Sequence, residues 1–192
     1  MLLLPRIETE RLLLRTYQPE DLETVYLLCS DPDVAEFFPD YYSINKEHVL
    51  ASLPRRIERW RKFGFGQLGV FEKTSEELIG YCGMQYLDDT TEVELYYGFF
   101  KKYWKRGYAT EAAKAILKFG FEQIKLERIV AVTNPKNIPS QKVLLRLGMK
   151  KGGERKFYKV DAAYFSMRRV DYQPENDFYN LSFISVNEEI DD

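Results

Sequence analysis

The sequence predicts a single α/β domain, and three observations predict it. The chain has 192 residues, 45% of them apolar, about one domain's length and enough apolar material to fill a core. Residues 108–124 carry an apolar stripe at helical spacing, formed by Ala109, Ala112, Ala113, Ile116, Leu117, Gly120, Phe121 and Ile124. Short segments of strand pattern lie on both sides of that stripe, among them 128–133 (RIVAVT), apolar on both alternating faces as a central strand requires.

Each element has its own justification. Residues 6–17 (RIETERLLLRTY) read as the first strand. A helix over 19–30 follows, with Pro19 tolerated in its first turn, Glu20 and Asp21 at its positive end, and Leu22, Val25, Tyr26 and Cys29 on its apolar side. In a second helix, 45–63, Val49, Leu53, Ile57, Trp60 and Phe63 recur at three-to-four spacing and Gly64 is the stop. Pro54 is expected to kink it, because its missing N–H cannot bond the Leu50 carbonyl. The opposite side, Arg55, Arg56, Arg59 and Lys62, reads as a solvated face.

Strands follow at 67–71, 78–87 and 91–100. In the last, Glu92, Glu94 and Tyr96 share one face and Val93, Leu95, Tyr97 and Phe99 the other, with Gly98 marking a bulge or splay point. After helix 108–124 and strand 128–133 come a loop (NPKNIP), a short helix from about Pro139 to Leu147 closed by Gly148, and a hairpin of two strands, around Tyr158 and over 162–167. Residues 171–192 form an acidic tail whose apolar middle, 178–186, adds an edge strand or is mobile.

Composition excludes several classes. With 30 acidic and 28 basic residues, 11 Gly, 8 Pro and 15% aromatics, disorder and low-complexity architecture are ruled out. The apolar start, Met1 to Leu4, is too short for a signal peptide, and no uncharged stretch approaches the length of a membrane span. Cys29 and Cys82 stand far apart without a CxxC, and His48 is the one histidine. The expectation is a reduced, cytoplasmic protein with no membrane association, no zinc and no other metal.

The near-neutral total hides an uneven distribution: residues 1–96 sum to −8, 97–170 to +13 and 171–192 to −7. The basic block suggests a polyanionic partner, a nucleotide-like cofactor or nucleic acid; the plain alternative is a solvated basic surface. Two motifs mislead. GFGQLG at 64–69 has the form GxGxxG, but it follows a helix and opens a strand, the reverse of a dinucleotide site. RGYA at 106–109 copies the start of an RNP1 stretch, yet Thr110, Glu111, Ala112 and Ala113 begin a helix where RNA-binding strands need aromatic and apolar residues. Nucleic acid is therefore not the expected partner. A single helix-surface histidine and no GxSxG also leave no Ser-His or Cys-His mechanism.

The informative segment is 99–113 (FFKKYWKRGYATEAA). A strand ends, Lys101, Lys102, Lys105 and Arg106 appear among aromatics, and Gly107 leads directly into a helix. Strand, glycine turn and helix N-terminus make an anion site from unpaired N–H groups and the helix dipole. The alternative is a turn whose glycine serves geometry alone.

Residues 104–113 (WKRGYATEAA) and 137–149 (NIPSQKVLLRLGM) resemble the two signature stretches of the GNAT N-acetyltransferases, and are most similar to the branch of ribosomal-protein N-terminal (alanine/serine) acetyltransferases. ETERLLLRTYQPEDLE, LIGYCGM and EVELYYGF fit the same branch in order, so the resemblance covers residues 6–170. It implies a GNAT domain over 1–170 followed by the acidic tail 171–192. It also implies a mixed, mostly antiparallel sheet, splayed between the fourth and fifth strands (91–100 and 128–133) and with helices on both faces. The implied activity is transfer of the acetyl group of acetyl-CoA to a primary amine, a protein N-terminus or a small molecule. Pyrophosphate would lie on the amides of Trp104, Lys105, Arg106, Gly107, Tyr108, Ala109 and Thr110, the pantetheine arm near Phe99 and Phe100, and Asn137 in the second stretch would complete the site.

The departures are specific. Trp104 stands where the superfamily usually has Gln or Arg, and Lys105 where the branch often has Gly, so a positive φ at 105 would strain lysine. Leu144 occupies the place of the tyrosine that many relatives use as general acid. Glu94 is the expected general base, acting through a water, with Glu92 as its substitute on the same face; the alternative is an ordinary strand carboxylate. Ser140 either protonates the leaving thiolate or caps the short helix. Acceptor selection is expected from 37–42, the second helix and the last hairpin, and the assembly is a monomer or a homodimer. The alternatives are a non-catalytic acyl-CoA-binding sensor and an RNA-binding module that uses the basic-aromatic segment 99–109.

Overall fold

A computed structural model of the chain describes residues 2–36 and 46–186. One sheet of nine strands organises it: β1 (Leu2–Glu8), β2 (Leu12–Arg15), β3 (Gln67–Glu72), β4 (Leu78–Tyr86), β5 (Val93–Phe99), β6 (Arg128–Thr133), β7 (Lys150–Phe157), β8 (Val160–Arg168) and β9 (Asn180–Val186). Their order across the sheet is β7-β8-β6-β5-β4-β3-β2-β1-β9. Every neighbouring pair is antiparallel except β5 and β6. The sheet is thus mixed and mostly antiparallel, with its parallel junction between the two segments expected to splay.

Helices cover both faces. α4 (Tyr108–Lys118) continues into a single wide turn, Phe119–Gln123, and its stripe of Ala112, Ala113, Ile116 and Leu117 is buried against Leu95, Phe99, Cys82 and Met84. The small alanines let it lie close to the strands. α5 (Ile138–Arg146) packs beside it through Leu144. On the other face lie α1 (Leu22–Ser30), the short α2 (Pro32–Ala35) and α3 (Lys46–Phe63); Val25 and Val49 pack on Phe71 and Leu78, and Leu28 and Val34 on Tyr81.

Several boundaries differ from the sequence reading. The single strand expected over 6–17 is a hairpin, because Thr9 turns the chain: its N–H and hydroxyl both reach the Leu12 carbonyl (2.9 and 3.4 Å), and the Leu12 N–H returns to the hydroxyl (3.1 Å). No Gly or Pro announces that turn. The second helix, by contrast, is one element with Pro54 inside it, as read from the sequence. Tyr158 belongs to the hairpin turn, not to a strand; the strand before it, KKGGERKF, is exposed except for Phe157 and so shows no apolar alternation. The tail segment 180–186 is an edge strand paired with β1 in full register. The expected start of the second helix at Asn45, and residues 37–42, lie outside the described residues.

Candidate active site

β5 and β6 share one register pair, Glu94 opposite Val130. Beyond it they part, β5 staying with β4 up to Phe99 and β6 turning to β8. The Phe100 N–H donates to the Ile79 carbonyl in β4 (3.1 Å), so strand alternation aims the peptide groups of Tyr97 and Phe99 into the gap. The Phe99 carbonyl accepts from the Trp104 indole N–H (2.7 Å).

The gap holds a cavity of about 280 Å³. Tyr97 and Phe99 form its β5 wall, Asn137, Ser140 and Leu144 its α5 wall, and Trp104, Lys105, Gly107 and the first turn of α4 (Tyr108, Ala109, Thr110) its mouth. Two residues expected at the cofactor are not on this lining. Phe100 packs against Leu28, Val34 and Tyr81 and against the main core instead. Arg106 lies over the Tyr103 ring (5.5 Å), while its carbonyl accepts from Arg11 Nη1 (3.0 Å).

The loop into α4 contains two left-handed residues, Lys105 (φ +62°) and Gly107 (φ +85°). The strain anticipated for lysine at 105 is therefore present, and the surroundings hold it in place. Arg11 and Glu111 form the brace: Glu111 accepts from the Thr9 hydroxyl (2.6 Å), the Arg11 N–H (2.9 Å) and Arg11 Nε (2.7 Å). Arg11 also covers the Tyr108 ring (4.5 Å). The first intrahelical bond is Glu111 N–H to the Gly107 carbonyl, so the amides of 108–110 face forward as a helix start requires. The Trp104 amide donates instead to Lys101 (3.0 Å), which narrows the anion-facing set to the amides after it. Because α4 begins at Tyr108, the RNP1 resemblance ends at that residue.

Glu94 sits at the vertex of the splay, on the α1–α3 face of β5 and outside the cavity lining. It is only 3% exposed. Gln85 Nε2 and the Tyr158 hydroxyl both donate to its Oε1 at 2.6 Å. Burial raises its pKa above the ordinary carboxylate range, and those two hydrogen bonds hold the rise back. Tyr158 is delivered by a two-residue turn in which Tyr158 (φ +50°) and Lys159 (φ +62°) are both left-handed, a geometry that Asn-Gly usually fills. Asp88 supports it: the Tyr158 N–H donates to Asp88 Oδ2 (2.7 Å) and the Asp88 N–H to the Tyr158 hydroxyl (3.0 Å). Glu92 is engaged elsewhere, accepting from the Tyr164 hydroxyl (2.6 Å) and pairing with Arg128 (3.7 Å).

Ser140 is not the helix cap. Asn137 is, its Oδ1 accepting from the Ser140 N–H (3.1 Å), because α5 starts one residue earlier than expected, at Ile138. The Ser140 hydroxyl faces the Tyr97 hydroxyl at 3.1 Å. Leu144 is buried, as its apolar side chain requires. The arginine side of α3, read as solvated, is exposed at Arg55, Arg59 and Lys62, Arg59 Nη1 donating to Gln85 Oε1 (3.1 Å), while Arg56 is half-buried near Tyr17 and Tyr96. Gln85, Tyr97, Tyr158, Arg56 and the Arg11–Glu111 brace escaped the sequence reading. Gln85 had a signal, since pairing β4 with β5 puts it opposite Glu94.

Among the described residues no cluster of three or more His, Cys, Asp or Glu is placed to hold a metal ion, and no helix is long and apolar enough to cross a membrane. The family model for an acetyltransferase (GNAT) domain matches residues 11–150. The chain is 32% identical to the uncharacterized N-acetyltransferase YnaD of Bacillus subtilis over 77% of this chain and 84% of that one. An acetyltransferase of the GNAT family from Bacillus anthracis superposes with a TM-score of 0.74 at 29% identity, over 86% of this chain and 99% of that one. The ribosomal-protein-S5-alanine acetyltransferase of Vibrio fischeri shares the fold, with a TM-score of 0.74 at 22% identity over 88% and 99%. The family match runs from the start of β2 to the first residue of β7 and takes in both walls of the splayed cavity; the chain belongs to the GNAT acetyltransferases.

Proposed function

We propose that the chain moves the acetyl group of acetyl-CoA onto a primary amine by direct attack, with the two substrates meeting at the splay of β5. The parting of β5 and β6 at Glu94 carries this reading. On one side it leaves a cavity with outward amides at a helix start, and at its vertex a buried carboxylate. The amides of 105–110, with the positive end of α4, suit the pyrophosphate, and Gly107 lets the backbone approach it. The Tyr97 peptide group and the Phe99 N–H suit the amides of the pantetheine arm, which Asn137 and Trp104 flank.

The amine must lose a proton. At pH 7 that costs about 1 kcal/mol for an α-amine and about 4 to 5 kcal/mol for a free lysine. Glu94 is the base: with Oε1 held by Gln85 and Tyr158, Oε2 or a water on it receives the proton, and the raised pKa brings the carboxylate nearer to the amine it serves. At the other end of the reaction the Tyr97–Ser140 hydroxyl pair protonates the leaving thiolate, since Leu144 supplies no phenol. A protein N-terminus is the acceptor that asks least of this machinery, and a small amine is the second. Free thiols at Cys29 and Cys82 fit a reducing compartment such as the cytoplasm.

The test begins with thermal unfolding in acetyl-CoA, CoA, NAD and a short RNA. A ligand at a hundred times its Kd adds about 2.7 kcal/mol, several degrees for a domain of this size. A rise with acetyl-CoA and CoA alone, followed by amine-dependent release of CoA thiol, is the expected result. No rise refutes the reading, and a rise with no release against any amine makes the chain an acyl-CoA sensor.

A further inference from the structure

Arg56 has no role in the reaction described above, yet it is set among buried groups on the face of β5 that carries Glu94. Its Nε donates to Ser52 Oγ (3.2 Å) and its guanidinium stands 5.3 Å from the centre of the Tyr17 ring. Its Nη1 is buried and has no hydrogen-bond partner, and the same holds for the Tyr17 hydroxyl. Among the described residues no carboxylate pairs with Arg56 within ion-pair distance. Asp21, the acid near Tyr17, is held by both nitrogens of Arg15 (2.7 and 3.1 Å). Burial raises the pKa of Tyr17 and of Tyr96, and the Arg56 charge pulls both back, so the guanidinium lies near both rings. Tyr96 also feels the Glu94 charge.

Buried donors in proteins are nearly always satisfied, and a buried guanidinium is satisfied best by a carboxylate that its planar fork can grip. Here the Arg56 Nη1 and the Tyr17 hydroxyl lie close enough to interact, with the Cys29 thiol also beside the guanidinium, yet neither atom has a hydrogen-bond partner of good geometry. Tyr96 feels both the Arg56 and the Glu94 charge, so the face presents one cationic and one anionic pole. A dianionic group would be repelled by Glu94, whereas a zwitterion matches both poles. We infer that the acceptor is an amine that also carries a carboxylate, its amine at Glu94 and its carboxylate on Arg56 Nη1 and the Tyr17 hydroxyl. This rests on the acetyl-transfer reading and adds the acceptor's chemical class to it.

The carboxylate has two sources, a free amino acid or an acidic residue near a peptide's N-terminus. The experiment measures acetyl transfer by CoA thiol release, with product mass as confirmation, on matched acceptors. One arm uses β-alanine against β-alaninamide; the other uses C-terminally amidated Ala-Asp against Ala-Asn peptides. In one arm the acid is expected to exceed its amide in kcat/KM by about tenfold or more, carried by KM, the size expected for hydrogen bonds to a charged group. Arg56→Met should collapse that ratio toward one and Arg56→Lys should restore part of it. Should Arg56→Met unfold, Tyr17→Phe keeps the ring, removes one donor and should lower the ratio severalfold. Amides used as well as acids in both arms, or a ratio unmoved by these substitutions, overturn the carboxylate site and leave acetyl transfer standing. Acetyl-CoA binding without transfer to any amine overturns both.

Discussion

Replacing Glu94 by Gln separates the chemistry of that side chain from its packing. The amide keeps an oxygen where Oε1 now accepts from Gln85 and Tyr158 at 2.6 Å, so both bonds survive, and the volume is unchanged. Only the proton acceptor is lost. General bases contribute about 10²- to 10⁴-fold, and for an α-amine, whose deprotonation at pH 7 costs about 1 kcal/mol, the lower end applies: kcat/KM should fall about a hundredfold. The pH profile is the sharper readout. Glu94 has a folded pKa raised by burial, so the acid limb of the wild-type kcat/KM profile should lie above the ordinary carboxylate range, and it should vanish in the variant.

Stability gives the sign an independent check. A carboxyl whose folded pKa is raised binds its proton more tightly in the native state, so ionisation destabilises the fold. That cost is absent below the unfolded pKa, grows as pH rises from there through the raised folded value, and is constant above it. The Gln variant should therefore match wild type in acid and exceed it near pH 7, measured by urea unfolding at both. A variant with wild-type turnover and an unchanged acid limb would refute the assignment of Glu94 as base, whatever its stability.

Four further outcomes follow from the same geometry. Tyr158→Phe removes one of the two bonds that hold the Glu94 pKa down, so the acid limb of the rate profile should move to higher pH, with a stability loss of about 1 kcal/mol. Gly107→Ala forces an L residue to φ +85° and sets a Cβ 3.3 Å from Arg11 Nη2; it should cost about 1 to 2 kcal/mol in urea unfolding and weaken acetyl-CoA in a thermal-shift titration. Glu111→Ala removes the carboxylate shared by the Thr9 hydroxyl, the Arg11 N–H and Arg11 Nε and should lower stability by about 1 to 3 kcal/mol, the partial exposure of Arg11 keeping it from more. Ser140→Ala and Tyr97→Phe should each slow transfer little, because either hydroxyl of the pair remains, while the double variant should lose more than the product of the two, read as kcat for acceptors with a fast amine step.

The residues that were legible in the sequence and those that were not divide along a physical line. Local pattern carried the apolar stripe of α4, the alternation that puts Glu94 and Tyr96 on one face of β5, and the glycine before a helix start, because each is a property of neighbours along the chain. The partners of those residues come from far away. Arg11 reaches Glu111 across a hundred positions, Tyr158 reaches Glu94 across 64, and no periodicity encodes such meetings. Local rules are broken at two places, one anticipated and one not: Lys105 and the Tyr158–Lys159 turn adopt backbone conformations that favour Gly or Asn. Each conflict has a compensation in view, the Arg11–Glu111 brace beside the first and the reciprocal Asp88 bonds at the second. Strain of this kind persists only where surrounding contacts over-determine it, and it gathers at functional sites. A tyrosine in the turn spends local stability to place a hydroxyl on a buried carboxylate; asparagine or glycine there would relax the backbone and leave Glu94 without that donor. The same logic places Arg56, a charged residue on what its helix pattern marks as a solvated face, among the groups whose position only the acceptor explains.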